Sequence, residues 1–478
     1  MIDVIPKNIQ SLSQTFLDAG YDIYFVGGCV RNLLMKRPIK DWDLTTNATP
    51  QEILKLFPDG FYDNQFGTVG VPLSPDVTAG NEVTPESQTE PDSGQSQNDT
   101  KKIIIEVTTF RSEKGYSDKR RPDTVTWGKT LEEDLQRRDF TINAIALRVA
   151  QGKLSNFELI DPYKGQEDIT QKIIRAVGDP AIRFKEDALR LLRGIRLATE
   201  LGFTIEEETW KETQANASLI KHISGERIRI ELLRILASEY PYDGIMLLRN
   251  SGILEFILPE LLEGLNISQV RPGRHHTTDV FTHNMLALKF CPSSDPIVRF
   301  ATLLHDVGKP KVQSYDENGL VIFHNHEIVG ARITRDIAER LKFSKKDREK
   351  IVNLIRWHMF TVDEKITDSA VRRFIRRVGV ENVKDMMDLR IGDRLGGGTQ
   401  TAESWRLKLF KKRIEEQLQP APFSINDLAI DGNDIMKELN VKPGPGIGKL
   451  LQELFEEVDE DLSKNTTEYL LTRLKEIA

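Results

Sequence analysis

Apolar and polar positions follow two rhythms along the chain. In the first 70 residues short apolar runs alternate with helical stretches. Asp22–Val26 reads as a strand ending at Gly27-Gly28, and Cys29–Met35 as the helix after it. Asp41–Leu44 is extended. Thr49-Pro50-Gln51-Glu52 predicts a helix start, with Thr49 as N-cap, Pro50 at the first helical position and Glu52 reaching back. Thr68–Leu73 and Ile103–Phe110 are extended and flank a stretch of another kind.

That stretch, residues 74–100, has six acids, no Lys or Arg, and only Val77, Ala79 and Val83 as apolar residues. It cannot bury enough surface to offset its ordering entropy, so a disordered loop between two sheet strands is expected. From about Ser155 the rhythm becomes mostly helical. Phe184–Leu201, Ile228–Glu239 and Asp243–Ser251, closed by Gly252, are amphipathic. His283–Phe290, Ile297–Val307 and Glu327–Leu341 continue the pattern. Pro420 and Pro422 mark a linker, and Ser424–Ala478 carries the turn Pro443–Gly446 and two helices. No internal repeat is visible.

Composition narrows the class. The chain has 478 residues, enough for about three domains. It is 39% hydrophobic and 29% charged, as soluble globular proteins are. No apolar run of roughly 18 residues predicts a transmembrane helix. The start MIDVIPKNIQ has no basic stretch followed by an apolar one, so no signal peptide is expected and the cytoplasm is the default. Cys29 and Cys291 are too few for a disulfide framework or a Cys-rich zinc site. The net charge of −7 argues, by itself, against a strongly basic nucleic-acid binder.

The candidate chemistry begins at Gly27-Gly28. Glycines at a strand-to-helix turn let backbone N–H groups approach a phosphate at a helix N-terminus, and Arg31 follows. Asp41 and Asp43 are i and i+2, so in a strand both carboxylates face one way and invite a cation. Such pairs hold two Mg²⁺ ions in phosphoryl transfer. Glu106 on the later strand is a candidate third ligand, although periodicity does not say which side of the strand it takes.

GGCVRNLLMKRPIKDWDLTTNATP resembles the nucleotidyltransferase signature of class II tRNA CCA-adding enzymes and bacterial poly(A) polymerases. RRDFTINAIAL (Arg137–Leu147) and FKEDALRLLRGIRLA (Phe184–Ala198) resemble later motifs of that family. The resemblance implies an α+β chain: a polymerase-beta-like head with a small mixed sheet, then all-α neck, body, HD and tail domains. The expected bounds are 1–150, 151–270, 271–420 and 421–478. It further implies that Gly28 and Arg31 contact the nucleotide, that Asp41 and Asp43 bind Mg²⁺, and that Arg138 and Asp139 lie near the sugar and triphosphate.

Asp187 and Arg190 are i, i+3, and so neighbours on a continuous helix. A carboxylate accepts hydrogen bonds and a guanidinium donates them. That combination suits the amino donor and ring-nitrogen acceptor of cytosine and adenine, and mismatches guanine and uracil. The resemblance assigns the pair to base selection. Arg193 continues toward the triphosphate, with Arg196 further round the helix.

Seven of the eight histidines lie between His275 and His358. Imidazoles grouped with carboxylates suit a divalent metal. The order His283, His305-Asp306, Asp393 resembles the HD phosphohydrolases, and His326 and His358 fit the positions of members with more ligands. His275, His276 and His324 remain unassigned. The metal expected is Mg²⁺, Mn²⁺, Ni²⁺ or similar, acting on phosphate esters of RNA ends.

Charge distribution changes the first impression of acidity. Six acids lie in 74–100 and six in Glu453–Asp461; without them 66 bases face 61 acids. Arg372, Arg373, Arg376 and Arg377, the run Arg406–Arg413, and Arg111–Arg138 are basic enough to meet RNA phosphates. The turn before the tail helix can take a phosphate or serve as a plain turn. The sequence therefore points to a tRNA 3′-end nucleotidyltransferase using CTP and ATP with Mg²⁺ in the head. A second, HD-type phosphohydrolase activity accompanies it, and neither a membrane nor an obligate protein partner is implied. The alternatives are a poly(A) polymerase or A-adding enzyme, and an HD phosphohydrolase with an RNA-binding head.

Overall fold

The computed structural model describes residues 5–64, 67–74, 102–114, 124–127, 130–149, 157–270, 278–360, 362–418 and 424–478. The loop expected at 74–100 falls, from residue 75, outside the described residues, as do His275 and His276. The chain divides into two compact units, Met1–Ile257 and Leu258–Ala478. Among the described residues no helix is long and apolar enough to cross a membrane.

The first unit is organised by a seven-stranded mixed sheet. Its strands are β1 (Ile23–Val26), β2 (Asp43–Thr46), β3 (Phe61–Asn64), β4 (Thr68–Leu73) and β5 (Ile103–Thr109). A hairpin of β6 (Arg111–Lys114) and β7 (Thr124–Trp127) stands apart, and β8 (Ala146–Val149) and β9 (Phe157–Ile160) return to the sheet. The order is β3-β4-β5-β2-β1-β8-β9; β2 and β5 run parallel and every other pair is antiparallel. The strand β9 joins the sheet beyond residue 150, where the sequence places the end of the head.

Every residue of β1 is buried because both faces of the sheet are covered. Ile23 and Phe25 enter a core with Leu12 and Phe16 of the helix Lys7–Asp18 and with Leu44, Ile53 and Val107. Tyr24 and Val26 point the other way, into a cluster with Phe110, Leu131, Leu135 and Ala146. The Thr49–Glu52 capping box forms as the sequence predicts: Glu52 accepts the Thr49 N–H at 2.7 Å, and Thr49 accepts the Glu52 N–H.

The helix expected over Phe184–Leu201 is broken. Helices run over Pro180–Glu186 and Leu189–Leu201, and Asp187 between them is extended at φ −134° and ψ 105°. Its side chain accepts the Leu189 N–H at 3.1 Å, which begins the second helix. Asp is a good helix starter and competes with backbone hydrogen bonding inside a helix. Helices Gly225–Ala237 and Pro241–Asn250 pack against Leu189–Leu201.

The second unit is helical. Helices Val280–Phe290, Pro296–Leu304, His326–Arg340, Lys345–Trp357 and Val383–Gly396 form its centre. Asp368–Val378 and Trp405–Gln417 lead to the tail. The tail has three helices, not two: Gly432–Leu439, Pro445–Glu460 and Thr467–Ile477. They close on Leu428, Ile435, Leu454, Phe455, Leu470 and Leu474. The glycine-rich turn leads directly into the second of these, with Pro445 as its first residue.

The expected basic patches are partly absorbed by the fold. Arg372 is buried, and its Nε donates to Asp459 Oδ1 at 2.8 Å; Arg376 Nη2 donates to Asp459 Oδ2 at 2.5 Å. These two arginines dock the tail helix and are not an open RNA surface. Arg377 stacks over Trp357 at 4.9 Å. In Arg406–Arg413, Lys411 pairs with Glu403 and Arg413 with Asp368. Much of Arg111–Arg138 lies outside the described residues.

Candidate active site and metal centre

In the head, Gly27 ends β1 at φ +74°, and the helix Gly28–Leu34 begins after it. A Cβ at Gly27 would lie 2.9 Å from Arg138 Nη1 and 3.4 Å from Asp43 Oδ2. The turn is therefore bare because a guanidinium and a carboxylate lie over it. Asp43 starts β2, while Asp41 precedes the strand and is exposed. Burial, and after it the charge of Asp41, raises the proton affinity of Asp43, against the pull of Arg138. Glu106 is the register partner of Asp43 on the parallel neighbour β5, which places it on the same face. Asp41, Asp43 and Glu106 have the oxygen donors Mg²⁺ requires. The cost of burying Asp43 as an anion is the kind that a divalent ion relieves.

A network of arginines surrounds this face. Arg31 Nη1 donates to Asn143 Oδ1 at 2.6 Å, and Asn143 Nδ2 to Asp139 Oδ1 at 3.1 Å. Asp139 Oδ2 meets Arg193 Nη2 at 2.7 Å. Burial opposes the Asp139 charge, but Arg193, the Asn143 hydrogen bond, Arg190 and the Phe140 N–H together outweigh it and hold the carboxyl below its usual range. Arg138 Nη2 donates to the buried Asp134 at 3.2 Å. The Nε atoms of Arg138 and Arg193 are buried and, among the described residues, have no hydrogen-bond partner. Buried, unmatched donors of this kind are what an anionic ligand would satisfy.

Asp187 and Arg190 remain neighbours, with the Arg190 N–H donating to the Asp187 carbonyl at 3.0 Å, but their side chains take different partners. Asp187 pairs with Arg227 at 3.1 Å. Arg190 Nη1 donates to Glu186 Oε2 at 2.7 Å and to the Arg183 carbonyl at 3.0 Å, and its Nη2 to the Arg137 carbonyl at 2.8 Å. Arg196 is also corrected. It is buried, with Nε on Glu231 Oε2 at 2.5 Å and Nη1 on Glu200 Oε2 at 2.7 Å. It ties helix Leu189–Leu201 to helix Gly225–Ala237, a structural use that the sequence did not predict.

In the second unit, two sets of ligating atoms lie within 4.8 Å of one another: His283, His305 and Asp393, and Asp306, His326 and His358. Asp306 joins them. Its Oδ2 lies 3.3 Å from His283 Nε2 and 3.4 Å from His305 Nε2. Its Oδ1 lies 3.2 Å from His326 Nε2 and 3.7 Å from His358 Nε2. Asp393 Oδ1 closes the first set, 3.3 Å from His283 Nε2.

The other ring nitrogens of three histidines are fixed by backbone carbonyls. His305 Nδ1 meets Thr302 O at 2.8 Å, His326 Nδ1 meets Phe323 O at 2.8 Å, and His358 Nδ1 meets Ile355 O at 2.7 Å. This leaves each Nε2 aimed inward, the arrangement metal-binding histidines require. Gly308 allows the His305-Asp306 turn to approach helix His326–Arg340, since a Cβ there would meet His326 O at 2.2 Å.

Burial disfavours a charged His305, but Asp306 and Asp393 outweigh it and lift the ring to about 10. Asp306 is held well below the usual carboxylate range, because His305 and Lys309 outweigh its burial. In His358, burial wins and the ring stays neutral more readily. Imidazole and carboxylate donors at these distances fit a divalent metal or a pair of them.

Several residues of these sites escape sequence reasoning. Lys309 Nζ contacts Asp306 Oδ2 at 2.5 Å and Gln269 Oε1 at 2.6 Å. Its i+3 spacing from Asp306 is the one available signal. Arg227 has none, since Asp187 is 40 positions away, and the Asn143 contact with Arg31 is likewise joined only by the fold, although Asp139 lies four residues from Asn143.

A mixed-sheet head with an aspartate and an arginine over a glycine turn, and a helical unit with a buried His–Asp cluster, define a nucleotidyltransferase with an HD domain. The family models agree. That for the poly A polymerase head domain matches residues 23–175, that for the probable RNA and SrmB-binding site of polymerase A matches 202–265, and that for the HD domain matches 282–404.

A CCA-adding enzyme of Limosilactobacillus reuteri is 31% identical over 97% of this chain and 95% of its own. An A-adding tRNA nucleotidyltransferase of Deinococcus radiodurans is 36% identical over 70% and 76%. A CCA-adding enzyme of a Geobacillus strain is 43% identical, and there the chain spans about half the relative's length, 52%. The crystal structure of the Bacillus stearothermophilus CCA-adding enzyme in complex with CTP matches in fold, with TM-score 0.68 at 24% identity over 98% of this chain and 97% of that one. The chain belongs to the class II CCA-adding enzyme family of tRNA nucleotidyltransferases.

Proposed function

We propose that the chain adds or repairs the 3′-terminal CCA of tRNA from CTP and ATP, with no nucleic-acid template. The observation that supports this is the head constellation: Asp43 and Arg138 lie over the bare Gly27 turn, the charge of Asp41 reaches Asp43, and Glu106 is the register partner of Asp43. It occurs in a chain similar over nearly its whole length to a CCA-adding enzyme.

Asp41 and Asp43, with Glu106 as a third donor, would hold Mg²⁺. Mg²⁺ supplies charge stabilisation at the attacking 3′-hydroxyl and the leaving pyrophosphate. Arg31, Arg138 and Arg193 orient the triphosphate, and Gly28 offers its backbone at the helix start. Asp139 and Asn143 hold Arg193 and Arg31 in place. Asp187 and Arg190, each anchored separately, present an acceptor and a donor to the base edge. The paired His–Asp sets would hold one or two divalent ions that activate water against a phosphate ester at an RNA end. Asp306 is then shared between the sets.

The test supplies tRNA lacking its last three nucleotides with CTP alone, ATP alone, then both. CTP is expected to add two residues and ATP one more. Long A tails identify a poly(A) polymerase, and absence of incorporation with Mg²⁺ overturns the transferase reading. Addition of A alone, only to tRNA already ending in CC, identifies an A-adding enzyme. The Deinococcus radiodurans relative favours that second reading.

A further inference from the structure

Asp187 stands at the break between two helices, in extended conformation. Oδ1 accepts the Leu189 N–H at 3.1 Å. Arg227 approaches from a different helix, Gly225–Ala237: Nη2 lies 3.1 Å from Oδ2 and Nη1 3.5 Å from Oδ1. Both side chains are largely enclosed, at 23% and 16% exposure. Among the described residues, no other hydrogen bond reaches Oδ2. Each carboxylate oxygen has room for two, so Oδ2 keeps a lone pair for one further donor.

Local helix physics does not explain Arg227. It lies in the first turn of its helix, where the N-terminal dipole disfavours a cation. The pairing with Asp187 does explain it. A planar guanidinium gripping both oxygens fixes the plane of a group whose terminal torsion is otherwise broad. The helix that presents Arg227 is itself tied to Leu189–Leu201 through Arg196 and Glu231. The Arg190 guanidinium is held by three acceptors, none of them the Asp187 carboxylate. The acceptor and the donor of the base edge are thus set by separate anchors.

We infer that Arg227 is a positioning residue for base selection: it aims the remaining Oδ2 lone pair of Asp187 at the exocyclic amino group of cytosine or adenine. The inference rests on the reading of Asp187 and Arg190 as the base-selecting pair. Uracil and guanine place a carbonyl where that amino group would be, so a fixed Oδ2 rejects them and a loosened one discriminates less.

The experiment measures single-nucleotide incorporation by the full chain with CTP, UTP, ATP and GTP. The proteins are wild type, Arg227→Met, Arg227→Lys, Asp187→Asn and the Arg227→Met/Asp187→Asn double variant. Arg227→Met is expected to raise KM for CTP and ATP about tenfold, with a smaller effect on kcat, while UTP and GTP change little. Arg227→Lys retains the charge without the two-point grip, so it is expected to lose part of the discrimination while keeping the wild-type melting temperature. It serves as the test if Arg227→Met does not fold. The double variant is expected to be no worse than Asp187→Asn alone.

An equal loss on all four nucleotides, or an additive double variant, overturns the inference. If Asp187→Asn abolishes CTP-over-UTP preference and the Arg227 variants keep it, this inference alone fails. If Asp187→Asn keeps the preference, the base-selection reading fails with it.

Discussion

Asp43 and Glu106 are Cα partners across the one parallel strand pair of the head sheet. This juxtaposition ranks the head carboxylates. Asp43 is half-buried beside Asp41 and Arg138, whereas Glu106 is exposed. Asp43→Asn is expected to lower nucleotide addition by about a thousandfold or more with the fold retained, and Glu106→Gln by less. Single-turnover rates at saturating Mg²⁺, with circular dichroism as the folding control, decide the ranking. Equal losses in both variants would contradict it.

Gly27→Ala probes the bare turn. The new methyl meets Arg138 Nη1 at 2.9 Å, and the φ of +74° is unfavourable for alanine. A stability loss of about 1–2 kcal/mol is expected from the backbone. A larger loss in kcat/KM for CTP should accompany it, as Arg138 is displaced. Urea unfolding and steady-state kinetics on one preparation separate the two.

Asp306 contributes one oxygen to each His–Asp set. Asp306→Ala should therefore reduce bound divalent metal at both sets, whereas His326→Ala should affect one. Elemental analysis after equilibrium dialysis reads this directly. Nucleotide addition should survive in both variants; its loss from a folded Asp306→Ala protein would contradict two separate sites.

Metal binding at the same cluster should depend on pH. His305 is raised from 6.5 to about 10 in the metal-free protein, where Asp306 and Asp393 outweigh its burial. A ligating ring must lose that proton, so affinity is expected to rise between about pH 6.5 and 10, with proton release on binding. The metal-free fold behaves oppositely. A folded value above the unfolded one contributes stability that is full below about pH 6.5 and is lost as pH rises through about 10. Calorimetric titrations in buffers of different ionisation enthalpy measure the proton release; none between pH 7 and 9 would refute the assignment.

Asp459 is buried beneath Arg372 and Arg376, which outweigh its burial and hold its carboxyl below the usual range. Asp459→Ala removes the carboxylate that receives both guanidinium groups, leaving Arg372 with Gln417 and the backbone carbonyl of residue 459. A loss of about 3 kcal/mol is expected in denaturant unfolding. A change within about 0.5 kcal/mol would mean that the pair is screened by solvent.

The order of chemistry-bearing residues is local information, and the sequence alone determined it. The strand, glycine turn and helix around Gly27, the Thr49–Glu52 cap, the spacing of Asp41 and Asp43, and the histidine cluster all depend on period, turn chemistry or residue type within a few positions. So does the α+β division into a sheet-bearing head and a helical remainder. Residue type marked the histidine-rich window, and the resemblance to HD phosphohydrolases selected His283, His305, Asp306, His326, His358 and Asp393 within it.

Tertiary structure decided which charged groups are spent and which remain for a ligand. A run of arginines reads the same whether solvent, RNA or a buried carboxylate receives it. Only packing shows Arg372 and Arg376 consumed by Asp459, and Arg196 by Glu231 and Glu200. Helical periodicity carried Phe184–Leu201 through Asp187 because apolar spacing does not register one extended residue. The break gave Asp187 a partner, Arg227, that is 40 positions away. Pairings at that distance are set by how helices stack, and a pattern read along the chain has no term for them.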